Sequence, residues 1–505
     1  MDGLWIILLI ALAILGAPLF AIFGAAAMLL FGSLPDTSIT GTANDVFSEK
    51  FADSPLLVTI PLFTFAGYVL AESGTPHRLV KLSRAWLGWM PGGLAMVCLV
   101  ASAFFTTFTG GSGITIVAIG GLLYPALIAD KYKENFSLGL VTTGGSLGLL
   151  FPPSVPMIIY GVVAGIMIEK LFLAGLIPGI ITVAALAIYS SATGIKHKMP
   201  RTKFDKKEAV KTLWEAKWEA LLPIALLGGM YSGLLRIHEA AAFTAIYTLV
   251  IEVWIYRDVS FRVDLPRIIR ESMTLVGAIL AILATAIGFT AFLIQARVPM
   301  VILEAMEGFI SSQVMFLIAL NVFLIGVGML MDIFSAIVVV VPLIVPIALR
   351  FGVDPYHLGI VFLLNLEIGY MTPPVGLNLF ISSFRFNKPI TQLYRAVLPF
   401  IGLLGIALIL VTYVPILSTW LPSLVESSAV SLDAPDDEMD DYADGLDLDG
   451  LEGDDFDLDS LEGDDDELDL DSLEGGGDEL DLDSLEDSEE LDLDAVEALE
   501  EEQSP

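Results

Sequence analysis

The chain has 505 residues and a formal charge of -35, but residues 431–505 hold 36 of the 60 acids and none of the 25 Lys and Arg, so the rest is nearly neutral. With 55% hydrophobic residues and a mean hydropathy of +0.76, it carries several apolar runs near or above the ~20 residues that cross a hydrocarbon core, which excludes an ordinary soluble domain. Cys98, the single cysteine, lies in an apolar run, so neither a disulfide framework nor a thiol metal site is available.

Taken in order, the apolar runs Leu4–Gly16 and Leu19–Phe31 flank Ala17-Pro18 and read as one kinked span or two short ones. Asp2 alone precedes them, without a basic n-region or small-residue cleavage site, so the start reads as a membrane helix rather than a removed signal. A further span ends near Ala71. His77–Trp89 mixes bases with Leu, Val and Trp at helical spacing, the pattern of a helix lying on a membrane surface. Between Leu94 and Leu127 two apolar arms flank Thr109-Gly-Gly-Ser-Gly113. Each is short for a perpendicular span, and the glycine–serine tip predicts a re-entrant hairpin, tolerable only where its tip is buried in protein or water.

Next comes TTGGSLGLLFPPSVPMIIY, residues 142–160, apolar yet unable to form an unbroken helix because Pro152 and Pro153 lack backbone donors. A span over Leu171–Ser190 and a basic connector, 196–217, with eight Lys or Arg close this half.

The order then recurs. Leu221–Gly233 and Glu239–Trp254 match the first pair of runs, Met273–Ala296 the span ending near Ala71, and Val298–Gln313 the surface helix. Met315–Leu349 is again a hairpin, with its tip near Gly328–Ser335. Gly148-x-x-x-Pro152-Pro153 aligns without a gap with Gly369-x-x-x-Pro373-Pro374, and both this motif and Pro125/Pro346 keep an offset of 221 residues. The predicted fold is therefore an all-α polytopic membrane protein of two inverted-topology repeats, each with arm helix, re-entrant hairpin and broken helix: 1–195 and 218–422 around the 196–217 connector, followed by an acidic tail at 423–505. Broken helices at corresponding positions of two halves point to the solute and ion sites of a secondary transporter. Threading with the connector in the cytoplasm puts 20 of the 25 bases there, as the positive-inside rule requires, and both termini outside.

The tail repeats LDLDSLEG-like units and reads as a disordered, solvated spacer. Asp455, Asp457 and Asp459 fit the start of a calcium loop, but Ser460 and Asp466 do not. Weak calcium association and a docking motif in its regular leucines are the other readings left open.

The chain resembles the large membrane subunit of tripartite ATP-independent periplasmic (TRAP) transporters in PGGLAMV (91–97), FTGGSGITIVAIG (108–120), GSLGLLFPPSVPMIIYG (145–161), LAGLIPG (173–179), the HEAAA run at 238 and DPYHLGIVFLLNLEIGYMTPPVGLNLF (354–380). The resemblance covers about residues 1–422. It implies an elevator-type permease of the bacterial inner membrane, working with a small four-helix membrane subunit and a soluble periplasmic solute-binding protein, and symport of organic acids with Na+ as coupling ion. Gly110-Gly111-Ser112-Gly113-Ile114 departs from the serine-rich tip frequent in the family, and the tail is no part of the pattern.

Sodium prefers oxygen ligands, which unwound carbonyls, helix ends and hydroxyls supply. The predicted sodium groups are Ser112 with Gly145, Gly148 and Pro152, and Gly328 with Gly369, Thr372 and Val375, mostly through backbone oxygen. Ser154 and Asn378, just past the breaks, are candidates for the solute cavity, and Asp332 and Glu367 join them as intramembrane acids. Arg297 and Arg385 could meet a carboxylate or anchor an interface. Histidines 77, 197, 238 and 357 are scattered and no phosphate loop occurs, so no enzyme, no organic cofactor and no nucleic-acid partner are expected. The rival readings are a single-component sodium-coupled carboxylate transporter and a membrane anchor for an acidic interaction tail.

Overall fold

The computed structural model describes residues 17–32, 55–296 and 312–429, with positions 12, 298, 301 and 310. The acidic repeats, most of Leu4–Gly16, and most of Val298–Gln313 with Arg297 lie outside the described residues. Every described regular element is a helix.

In the first half these are α1 (Leu19–Phe31), α2 (Thr59–Glu72), α3 (Thr75–Leu87), α4 (Gly93–Thr109), α5 (Ser112–Ala129), α6 (Glu134–Gly144), α7 (Val155–Ala164) and α8 (Ile168–Lys196). The connector contains α9 (Lys206–Glu215). The second half has α10 (Lys217–Tyr231), α11 (Ile237–Ile255), α12 (Asp264–Gln295), α13 (Gln313–Leu330), α14 (Ile333–Arg350), α15 (Pro355–Gly369), α16 (Leu377–Phe386), α17 (Ile390–Tyr413) and α18 (Ile416–Ala429). Among the described residues seven helices are long and apolar enough to cross a membrane, or nine if two bent pairs each count as one span.

The local chemistry explains the boundaries. Helix α3 leaves α2 at 73° because Gly74 and Pro76 start a new helix, with Pro at its favoured first turn. Helix α4 ends on Gly110, whose φ of +61° suits a residue without Cβ. Asp332 caps α14, its carboxylate accepting from the Phe334 and Ser335 backbone N–H groups at 3.1 Å. Two details differ from the sequence reading. The connector is not merely hydrophilic chain, since Asp205 caps α9 by accepting from Lys207 N at 2.9 Å, and Ala209, Thr212 and Ala216 are buried. The second arm helix starts at Asp264 rather than near Met273, because polar residues 264–272 continue the helix.

Arm helices of the two halves pack together: α1 on α12, and α2 on both α11 and α12. Arg78 of α3 ties this layer. Its guanidinium reaches Glu252 of α11 at 2.8 and 2.9 Å, also pairs with Glu219 of α10 and Asp258, and lies 3.8 Å over the Tyr256 ring. Glu219 and Glu252 are buried. Each hairpin then packs on the arm of its own half, α4 on α2 and α14 on α12. Gly67 of α2 makes the first contact possible, because a Cβ there would stand 2.2 Å from the Phe108 carbonyl oxygen.

Removing Arg78 strands two buried carboxylates, which costs about 3–5 kcal/mol. Arg78→Ala is expected to lower the thermal unfolding midpoint of the purified protein sharply, whereas Lys211→Ala, which breaks an exposed α9 pair at 3.9 Å, leaves it nearly unchanged. Equal midpoints for the two variants would refute the role assigned to Arg78.

Candidate ion and solute site at the helix breaks

Both broken helices are built alike. After α6 a single 3-10 turn, Leu147–Leu150, leads into Phe151–Ser154, and α7 leaves at 45° to the preceding segment. After α15 the chain runs irregularly through Pro373-Pro374 to Gly376, whose φ is +56°, and α16 follows. Both Pro–Pro bonds are cis.

The half-helix beyond each break packs on the hairpin of the other half. Helix α7 lies along α14, and α16 lies along α5. The spans before the breaks exchange in the same way, α6 packing on α17 and α15 on α8. Among the described residues the repeats therefore interlock through exchanged contacts rather than sitting side by side.

Asn378 occupies the centre of this exchange. It is fully buried, accepts from Ser112 Oγ of the first tip at 2.7 Å, and donates through Nδ2 to Ser146 Oγ at 2.7 Å. One side chain beyond the second break thus holds the first tip and the turn before the first break. Thr142 Oγ1 to Ser382 Oγ, 2.8 Å, adds a second polar bridge.

Of the first predicted group, Ser112, Gly145 and Gly148 come together. The Ser112 carbonyl oxygen would lie 2.9 Å from a Cβ on Gly145, and a Cβ on Gly148 would meet Ala103 O at 2.3 Å and Thr107 N at 2.5 Å. Pro152 is buried in the break beyond. The sequence reading missed the hydroxyls that complete this group. Thr106 Oγ1 stands 2.7 Å from Ser102 O, 2.8 Å from Thr115 Oγ1 and 3.0 Å from Gly145 O. One hydroxyl carries one proton, so Thr106 can donate to only one of the two carbonyls it faces. The result is a buried set of neutral oxygens, a donor chemistry that fits a hard monovalent cation. The spacing of Thr106, Thr109 and Thr115 around the glycine tip was the available sequence signal.

In the second group Gly328 and Gly369 touch directly, a Cβ on Gly369 falling 2.6 Å from Gly328 Cα. Gly376 N donates to Met329 O at 3.3 Å, which joins this break to its own hairpin. Thr372 spends its hydroxyl on Ile368 O, at the end of the helix that precedes the break, at 2.8 Å, and Val375 is 41% exposed. Pro373 and Pro374 are exposed as well, whereas Pro152, Pro153 and Ser154 are buried. The two breaks differ in access.

The remaining candidates separate. Asp332 is committed as the α14 cap and also accepts from Ser335 Oγ at 2.5 Å. Ser154 Oγ and both Glu367 oxygens are buried without a hydrogen-bond partner among the described residues. Arg385 is exposed; its Nε donates to Val117 O of α5 at 3.1 Å. It lines an open cavity of about 460 Å³ with Val117, Phe380, Ile381 and Phe384.

Comparison with known proteins places these features in context. A family model described as "Tripartite ATP-independent periplasmic transporter, DctM component" matches residues 6–417. The C4-dicarboxylate TRAP transporter large permease protein DctM of Vibrio cholerae is 34% identical over 443 residues, 84% of this chain and 98% of that protein. The isethionate TRAP transporter permease protein DctMQ of Oleidesulfovibrio alaskensis is 36% identical over 407 residues, 80% of this chain and 63% of that protein. The crystal structure of the Alcanivorax borkumensis YdaH transporter superposes with a TM-score of 0.56 at 14% identity, covering 81% of this chain and 98% of that one, a likeness of fold alone.

The geometry separates two hydroxyls that the sequence treated alike. Ser112→Ala leaves Asn378 Oδ1 buried without its donor and is expected to cost about 1–3 kcal/mol; Thr372→Ala, which removes only a local bond to the residue four positions back, changes stability little. Thermal unfolding of both variants checks this. Gly148→Ala is expected to lower the midpoint as well, by about 1–3 kcal/mol, because the added Cβ meets hairpin backbone on two sides.

Proposed function

This chain belongs to the DctM-component family of tripartite ATP-independent periplasmic transporters, and on that basis we propose that it is the sodium-driven large permease of an organic-acid uptake system. A periplasmic binding protein delivers the solute, and a small four-helix membrane subunit braces the arm layer in the bacterial inner membrane. Relatives named for C4-dicarboxylate, isethionate and sialic acid transport support a solute class of small anions with a carboxylate or sulfonate.

The observation that carries this reading is Asn378 bridging Ser112 and Ser146 across the two repeats. Sodium bound among Ser112, Thr106, Thr115 and the Gly145 and Gly148 carbonyls would fix the first tip against the first break. The same event would orient Asn378, and with it the N-terminal turn of α16, where backbone N–H groups favour an anion. Gly328, Gly369, Thr372 and Val375 offer the corresponding oxygens at the second break. Ser154, whose hydroxyl has no partner among the described residues, stands at the start of α7, and Arg385 can draw the anion from the open cavity beside α16.

Alternating access follows from the layers. Hairpins and broken helices form the moving body; the arm helices α1, α2, α3, α10, α11 and α12, clamped by Arg78, form the stationary one. Backbone at an irregular break cannot face lipid, so the exposed Pro373–Val375 stretch opens to water while the first break stays closed. With Arg385 and Lys388 on the cytoplasmic side, this is an inward-facing arrangement, and both termini face the periplasm.

Proteoliposomes holding this chain with its small subunit, assayed with the cognate binding protein, test the proposal. Uptake is expected to require an inward sodium gradient and the binding protein, and Asn378→Leu is expected to reduce it at least tenfold. Uptake indifferent to the gradient, or undiminished without the binding protein, would sink the mechanism.

A further inference from the structure

We propose that α9 and α3 together form a binding site for one anionic phospholipid of the cytoplasmic leaflet. The site has two adjoining parts. Lys206, Lys207, Val210, Lys211, Trp214 and Glu215 line an open depression of about 770 Å³. Beside it runs an apolar groove of about 300 Å³, walled by Leu79 and Trp86 of α3 and Leu213 of α9 and floored by Val100, Ala101 and Phe104 of the first hairpin arm α4. Val210 and Leu213 are neighbours on one helix face, so depression and groove meet along α9.

The residue chemistry matches a diacyl anion. The connector carries eight bases against three acids over residues 196–217. Of those acids, Asp205 is used as the α9 cap, and Glu215 faces Lys211 at 3.9 Å. Lys206 and Lys207 make no ion pair among the described residues, and Lys211, whose pair with Glu215 is long and exposed, adds a third ammonium group that can turn to a phosphate. Around them stand exposed apolar side chains suited to acyl chain: Trp86, Trp214 and Val210 are 45%, 71% and 64% exposed. Lys217 lies 4.0 Å over the Trp214 ring, and Trp86 Nε1 donates to Ala209 O at 3.2 Å, so the two walls are fixed to each other.

Charge complementarity and the paired groove select a phospholipid. The acidic segment 431–505 has the complementary charge but offers no acyl chain to the groove. Because the groove floor belongs to the hairpin and its walls to the arm layer, a bound lipid touches both bodies of the protein. The inference rests on this surface and does not depend on sodium coupling or on the solute.

The experiment uses the full chain in phosphatidylcholine nanodiscs doped with equal mole fractions of either dibrominated phosphatidylglycerol or dibrominated phosphatidylcholine, reading quenching of tryptophan emission. Stronger quenching by the anionic lipid is expected. The triple variant Lys206→Gln, Lys207→Gln, Lys211→Gln changes only exposed residues and is expected to lower that preference by an order of magnitude or more, at about fivefold per lysine. Val100→Phe, which fills the groove and leaves the charge intact, is expected to reduce quenching by the anionic lipid. Equal quenching by the two lipids in the unaltered protein, or a preference that survives the triple variant, overturns the proposal. So does a preference that emerges only when residues 431–505 are deleted, which would give the surface to that segment.

Discussion

In an apolar medium every backbone N–H and C=O must find its partner inside the protein, so a chain that breaks its helices there must surround the breaks with its own polar groups. This chain breaks two helices at Pro-Pro pairs and turns two hairpins at Gly110 and Met331–Asp332. Its architecture follows from satisfying them. Asp332 supplies acceptors for the start of α14, Met329 O takes the Gly376 N–H, and the Asn378 amide spans from Ser112 to Ser146. Close approach is equally necessary, and glycine provides it: Gly148 against Ala103 and Thr107, and Gly369 against Gly328.

The interlocked arrangement has a mechanical consequence. Because each half-helix beyond a break rests on the other repeat's hairpin, neither hairpin can shift far without carrying both breaks along. Hairpins and breaks are thus held to one another, while the arm layer is held by charge: Arg78 with Glu219, Glu252 and Asp258 across the two halves. The contact between the layers runs through apolar surfaces such as α2 on α4, with Gly67 backed against the Phe108 carbonyl. Apolar contacts are non-directional, whereas the hydrogen bonds that join hairpins and breaks are directional.

Much of the element order was legible in residue patterns because a hydrophobic period and a Pro or Gly are local signals. The predicted hairpin tips fall at Gly110–Gly111 and Met331–Asp332, and the breaks fall at the two Pro-Pro pairs. The polar role of the individual residues was less legible. Thr372 and Ser112 look alike in sequence, yet one hydroxyl turns back to Ile368 and the other reaches across 266 positions to Asn378. Thr106, Thr115 and Ser146 were overlooked because a threonine in a membrane helix usually bonds its own preceding turn, as Thr107 does to Ala103 at 2.8 Å. Connector helix α9 escaped notice for a different reason: its buried residues are the small Ala209 and Thr212, which give little hydrophobic signal.

By itself the sequence determined that this is a membrane-embedded, all-helical chain with two matching halves and a broken helix in each, because length, apolar runs and the 221-residue offset between Pro-Pro motifs are properties of the string. Only the tertiary structure decided which groups face one another. Pairing Ser146 with Asn378, or Gly328 with Gly369, depends on how α6, α13, α15 and α16 cross in space, and no local period encodes a contact between residues 232 positions apart. Access to the two breaks was decided there too. The motifs are near twins, yet packing buries Pro152 and Pro153 and leaves Pro373 and Pro374 open.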